Sequence, residues 1–171
     1  MSKSARVGRD VIHAAAQWIG MYGIITGSYR RGATECGDLD YVVPYSSDEE
    51  QYAFEDMLFD LWGSQVTNFR KPKTTGKVIV VVSEKPWEVA AQVHLCKIGC
   101  LGSMLLHTTG SVDFNKYMRT VAIKQGMKLN QYGLIMRDGL LLESQYEEDF
   151  FKALGMKYYS PEERNSDQWR R

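Results

Sequence analysis

The sequence predicts an α+β chain, a small mixed sheet with flanking helices followed by a smaller α/β lobe. Three observations carry this. Apolar residues recur at helical spacing between positions 5 and 20, a β-branched run fills Val78 to Val82, and short strand-like and helix-like segments alternate beyond residue 110. The first lobe is placed at residues 1–102 and the second at 103–171, with a hinge near 99–111.

Taken in order, Val7, Val11, Ile12, Ala15 and Ile19 form one face of a helix over 5–20, which Gly20 and Gly23 end. Ile24-Ile25-Thr26 reads as a strand feeding a Gly27-Ser28 turn, and Leu39-Asp40-Tyr41-Val42-Val43 as the next strand. Ser46 to Gly63 opens on a helix-start pattern, Ser-Ser-Asp-Glu-Glu, and carries Tyr52, Phe54, Met57, Leu58 and Leu61. Lys71 to Lys77 is expected to be a basic turn, Val78 to Val82 a buried strand, and Trp87 to Leu95 a further strand. Asp113 to Gln125 reads as a helix with Phe114, Met118, Val121 and Ala122 on one side. Leu129 to Leu134 and Leu140 to Leu142, around the turn Arg137-Asp138-Gly139, suggest a small sheet. Glu147 to Leu154 is a short helix, and Ser160-Pro161 starts a last turn.

Bulk properties narrow the classes. Lys+Arg and Asp+Glu both number 21, which argues against coating nucleic acid by net charge and leaves room for a local basic groove. Hydrophobic content of 44% and charged content of 25% are ordinary for a globular protein. No run approaches the roughly 20 apolar residues that cross a bilayer, and the start lacks the apolar core of a signal peptide. A cytoplasmic monomer without a membrane partner is expected. Cys36, Cys96 and Cys100 are too few and too odd for a disulfide framework. Cys96 and Cys100 with His94 lack zinc-site spacing and a fourth ligand, so reduced core thiols are the expectation.

Residues 27–43 concentrate the candidate chemistry. Unpaired N–H groups of the Gly27-Ser28 turn and the Ser28 hydroxyl would face phosphate oxygens, and Arg30 and Arg31 would add charge. Asp38 and Asp40, one residue apart on a strand, project from the same face. Two hard oxygen donors suit Mg²⁺, which fills its remaining positions with water and phosphate oxygens. Either motif alone is weak, since an Asp-x-Asp opening a strand is commonly a turn or a solvated edge. In this order, with Gly32 and Gly37 between them, they point to nucleotidyl transfer.

With these residues in view, the chain resembles the family X DNA polymerases over nearly its whole length. The resemblance rests on Gly27-Ser28-Tyr29-Arg30-Arg31-Gly32 with Gly37-Asp38-Leu39-Asp40, and on Thr109-Gly110-Ser111 with Phe114-Asn115-Lys116 and Met118-Arg119. Leu129-Asn130-Gln131-Tyr132 and Lys157 to Arg164 complete it. It implies a nucleotidyltransferase-fold palm and a C-terminal lobe binding nucleotide and template. The lyase and fingers domains of larger members have no counterpart in the sequence. The layout is similar to the compact viral member of the family, so a viral, phage or microbial source is expected by analogy, with a place in the host cytoplasm or virion.

Roles follow from the resemblance. Gly27, Ser28 and Arg31 would hold the triphosphate, with Gly37 letting backbone approach it. Asp38 and Asp40 would bind Mg²⁺, with Mn²⁺ as a substitute. Asn115 would touch base or sugar, and Gly110 would sit where the backbone passes the sugar. Lys116 would stack under the templating base, Arg119 would read the template strand, and Tyr132 would help close the pocket. The implied partners are a deoxynucleoside triphosphate and gapped or primer-template DNA. Arg70-Lys71-Pro72-Lys73, Lys77, Lys116, Arg119, Lys124 and Lys128 would supply phosphate contacts.

The sequence also departs from the family. The third catalytic carboxylate falls on Gln92, a neutral carboxamide that is a poor ligand for a hard cation and cannot take a proton. Glu88 shares a strand face with Gln92 but lies about 13 Å away at ~3.3 Å per residue. Gln92 is open to three explanations: a substitution made to trap a complex, a natural change in a binding-only relative, or a third acid lying elsewhere. His107-Thr108 stands where the family commonly has Tyr-Phe beside the sugar, and Val112 replaces an acidic residue. A smaller Thr108 leaves ribonucleotide use open, as does the alternative that His107 fills the same space. The leading expectation is a template-directed, gap-filling DNA polymerase impaired at Gln92. The alternatives are a non-catalytic module binding nucleotide or gapped DNA, and a small nucleotidyltransferase acting on RNA or protein.

Overall fold

The computed structural model describes residues 6–63, 73–165 and 169. A two-residue strand, β1 (Val7–Gly8), pairs antiparallel with β3 (Glu35–Cys36). Val7 therefore belongs to a strand and not to the expected helical face. The helix, α1 (Arg9–Ile19), buries Val11, Ile12, Ala15, Ala16 and Ile19 and stops at Gly20, whose φ of 72° lets its N–H reach the Gln17 carbonyl.

The main sheet has the order β2 (Ile24–Ile25), β4 (Leu39–Tyr45), β6 (Lys85–Lys97), β5 (Lys73–Val82). β4 and β6 run parallel, while the other neighbours are antiparallel. Parallel pairing needs a crossover, part of which is α3 (Asp48–Trp62). Ser47 caps α3 by accepting the Glu50 N–H, and the Glu50 carboxylate accepts the Ser46 N–H at 2.6 Å.

From Lys73 onward the expected basic turn is strand, because Lys73–Val82 pairs residue for residue with His94–Lys85 across Ser83 and Glu84. Both turn residues have positive φ, the geometry of a two-residue hairpin. Arg70, Lys71 and Pro72 lie outside the described residues. Val78 and Val80 face the core beneath α1, and Ile79 and Val81 are exposed on the sheet's outer strand.

The segment 99–111, where the hinge is expected, is mostly a helix, α4 (Leu101–Thr109), entered through a 3₁₀ turn at Ile98–Cys100. Its buried residues, Gly102 to Leu106 and Thr109, occupy nearly the whole circumference, so the segment carries no helical period to read. α5 (Val112–Lys124) follows, with Ser111 accepting the Phe114 N–H. The antiparallel meander β7 (Lys128–Asn130), β8 (Gly133–Ile135) and β9 (Leu141–Leu142) and the helix α6 (Glu147–Ala153) complete the C-terminal part.

One hydrophobic cluster joins α1 to the main sheet, and a second gathers Leu106, Phe114, Met118, Phe150, Phe151 and Trp169. A small third cluster, Val42, Cys96, Met104 and Leu105, bonds the two by seating α4 on β4 and β6. All three cysteines are free and buried. No helix of the described residues is long and apolar enough to cross a membrane.

Candidate active site

The two aspartates meet Gln92 at one end of the parallel strand pair. Asp40 and Gln92 are register partners across β4 and β6, and the Gln92 amide donates to Asp38 Oδ2 at 3.3 Å. Two residues further along β6, the buried His94 brings Nε2 to 4.0 Å from Asp40 Oδ1. Glu88 is held on the same strand by Lys77, at 2.7 Å. Among the described residues no three His, Cys, Asp or Glu side chains group in a way that could hold a metal. The donor set at this point is two carboxylates and one carboxamide. It fits a divalent cation held by Asp38 and Asp40 that completes its shell with water or phosphate oxygens.

The expected phosphate turn is a single helical turn, α2 (Gly27–Arg30), sewn to β4. The Thr26 N–H and hydroxyl both donate to the Asp40 carbonyl, at 2.8 and 3.2 Å. A β-carbon on Gly27 would lie 2.2 Å from Asp40 Oδ2, and its φ of 59° is a conformation side chains disfavour. Glycine is therefore required for the turn and the carboxylate to lie together. At Gly37 an added β-carbon would meet nothing within 4 Å, so no protein neighbour demands glycine there.

The two arginines of the turn are engaged by the C-terminal part. Arg30 donates to Glu147 Oε2 and to Thr109 Oγ1, both at 2.7 Å, so the charge it was expected to add beside the turn is engaged by a carboxylate. Glu147 also accepts from Arg164, at 2.8 Å, and Arg164 is fully buried against the rings of Phe114 and Phe151. Burial alone would lower the Arg30 pKa, but the hydrogen bond and charge of Glu147 leave it raised. Burial would raise the Glu147 pKa, and the hydrogen bonds and charges of its two arginines hold it below the ordinary value. Arg31 donates to the Thr109 carbonyl and, at 2.7 Å, to Asn165 Oδ1. Burial lowers its pKa, partly offset by the charge of Asp40.

The remaining expected residues lie on α4, α5 and the turn after β7. Asn115 donates to the His107 carbonyl at 2.8 Å, and Arg119 lies 2.9 Å from His107 Nδ1. These three side chains border a recess of about 10 Å³, room for no more than a water. Thr108 returns its hydroxyl to the Met104 carbonyl. Gly110, at φ 67°, faces Arg31: an added β-carbon would lie 3.4 Å from Nη1. Lys116 is exposed on α5, and Tyr132, half exposed, follows Asn130, whose side chain accepts its N–H. The structure thus brings Gly27, Arg31, Asp38, Asp40, Gln92 and Gly110 together. No described contact draws Lys116 or Tyr132 to them. Glu147 and Asn165 escaped the sequence reading, and Arg164 entered it only within a motif; the segments that hold them are both rich in charged residues, so nothing in the sequence singled these out.

Comparison with known proteins agrees with this architecture. Residues 5–85 match the family model of the DNA polymerase beta palm, and residues 104–165 that of the DNA polymerase beta thumb. DNA polymerase IV of Saccharomyces cerevisiae is 44% identical over 70 residues, 41% of this chain and 12% of the yeast protein. DNA polymerase lambda of Rattus norvegicus is 27% identical over 167 residues, 85% of this chain and 29% of the rat protein. The chain thus spans less than a third of either relative. The polymerase beta of Leishmania infantum, solved as a ternary P/T complex, superposes with a TM-score of 0.74 at 21% identity, covering 96% of this chain and 78% of that one. Palm and thumb matches in sequence order, over a fold of the same kind, place this chain in family X of the DNA polymerases.

Proposed function

We propose that the chain binds a metal-complexed deoxynucleoside triphosphate and gapped or primed DNA, and that it carries out template-directed, gap-filling nucleotidyl transfer at a rate depressed by Gln92. The observation that carries this reading is the junction of Gly27 with Asp40, which leaves no space between a turn of backbone N–H groups and a metal-binding carboxylate. Asp38 and Asp40 would hold Mg²⁺ or Mn²⁺, which neutralises phosphate charge when bound. Ser28 and the N–H groups of α2 would grip the triphosphate, and Arg31 would add charge beside them. Gly110, His107, Thr108 and Asn115 would line the sugar and base, and Lys116, Arg119 and Tyr132 would meet the template. The lobes would divide at residues 102 and 103, and the protein would act as a cytoplasmic monomer.

Gln92 favours a second reading. A carboxamide opposite Asp40 neither accepts the primer hydroxyl proton nor adds negative charge for a second cation. A module that binds nucleotide and gapped DNA without turnover is the outcome if this loss is complete.

Primer extension on a one-nucleotide gap, with Mg²⁺ and with Mn²⁺, separates the two. Template-matched addition that Asp40→Asn abolishes supports the polymerase. Tight, metal-dependent triphosphate binding without any addition supports the module, and absence of both binding and addition rejects the proposal.

A further inference from the structure

Arg31 is gripped from outside its own element in a way the phosphate turn does not itself require. Its Nε donates to Asn165 Oδ1 at 2.7 Å, and Asn165 Nδ2 donates back to the Arg31 carbonyl at 3.0 Å. One side chain therefore fixes both the guanidinium and the backbone of a residue 134 positions away. The Thr109 carbonyl takes Nη1. Two of the three guanidinium nitrogens, Nε and Nη1, are thus anchored, and among the described residues Nη2 has no hydrogen-bond partner. A planar fork fixed at two of its nitrogens presents the third in a fixed direction. Asp40 lies within electrostatic reach of the guanidinium, and Gly110 leaves room beside Nη1.

We infer that Asn165 is a positioning residue for phosphate binding: it orients Arg31 so that the unbonded Nη2 meets the triphosphate, without touching nucleotide itself. The inference rests on the reading of α2 as a triphosphate turn. Its physical basis is preorganisation. An arginine side chain gives up rotamer entropy when it is held, and an anchor that removes this before the ligand arrives makes the charge-assisted bond to phosphate stronger in net terms. The clasp also explains a feature of the sequence that the turn alone does not. Of two adjacent arginines, Arg30 hydrogen-bonds to the Glu147 carboxylate, whereas Arg31 hydrogen-bonds only to neutral acceptors.

The test is calorimetric titration of the full chain with deoxyadenosine triphosphate and with deoxyadenosine monophosphate, both with Mg²⁺. Asn165→Ala is expected to weaken the triphosphate about tenfold and leave the monophosphate unchanged, the scale of one charge-assisted hydrogen bond. Arg31→Ala is expected to weaken the triphosphate at least as much, and the double variant no more than Arg31→Ala alone. Asn165 is exposed, so the thermal midpoint should hardly move. An unchanged or tighter triphosphate in Asn165→Ala, or additive losses in the double variant, overturns the inference while the proposed function stands. Failure of the parent chain to bind triphosphate with Mg²⁺ overturns both.

Discussion

Gln92 donates its side-chain N–H to Asp38 at 3.3 Å, setting a neutral donor against the aspartate pair. The contact adds no charge for a cation. Replacing the donor by an acid therefore changes cation capacity and proton acceptance together. Gln92→Asp is expected to raise gap-filling by about a hundredfold or more, the scale on which single groups act on transition-state charge. Manganese titrations followed by electron paramagnetic resonance should rise from one to two ions per nucleotide complex. A rate and an ion count that both stay at parental values would refute this account of Gln92.

Glu147 links Arg30 of the turn to Arg164 in a buried triad, so removing it strands two cations. Glu147→Gln is expected to cost about 3 kcal/mol or more, the usual effect of breaking a buried pair. The pH dependence has a definite sign. Because the folded-state pKa lies below its ordinary value of 4.5, the contribution is complete above that pH and fades as pH falls through the folded value. Urea midpoints from pH 7 down to 3 should drop in the parent below about pH 4.5. The variant should begin lower and show less of that fall.

Gly102 packs against the chain at Tyr146, where an added β-carbon would approach backbone C and O atoms at 2.6 Å. Backbone cannot step aside as a flexible side chain can, so Gly102→Ala is expected to destabilise by about 1 to 3 kcal/mol despite the better helix propensity of alanine. Thermal unfolding measures this. An unchanged or raised midpoint would show that α4 and the segment before α6 are not in close contact.

Burial pushes the Cys96 thiol up to about 12, and burial followed by its hydrogen bond to Glu143 pushes Cys100 up to about 11. Neither should react with a disulfide reagent at pH 8 while the protein is folded, since the thiolate is the reactive form. Both should react within minutes in guanidinium chloride. Fast labelling of either thiol in the native protein would contradict the packing between α4 and the main sheet.

Much of the fold was readable because its signals are local. The stripe Val11, Ile12, Ala15, Ile19 marks α1, Ser47 and its acids mark the start of α3, and Val78 to Val82 marks a strand. α4 was not readable, because burial on nearly all sides removes the contrast between faces that a period requires. The length of β5 was hidden for a different reason. Lys73 and Lys77 resemble a turn until pairing with β6 fixes them, and Ser83-Glu84 lacks the glycine that usually announces a hairpin. Within the candidate site, the Asp38, Asp40 and Gly27 motif was legible because it is contiguous. The pairings of Glu147 with Arg30 and of Asn165 with Arg31 were not, because an acid or an amide in sequence gives no sign of a partner more than a hundred positions away.

The parallel pairing of β4 with β6 has a kinetic corollary. Hairpin β5–β6 closes through neighbours in the chain and needs nothing else, but Asp40 meets Gln92 only once the intervening crossover has been drawn in. A half-organised chain with its hairpin and helices formed would still have the aspartates apart from β6. Refolding experiments should consequently see the pairing of Asp40 with Gln92 emerge in the slowest cooperative phase, alongside the native sheet and not before it.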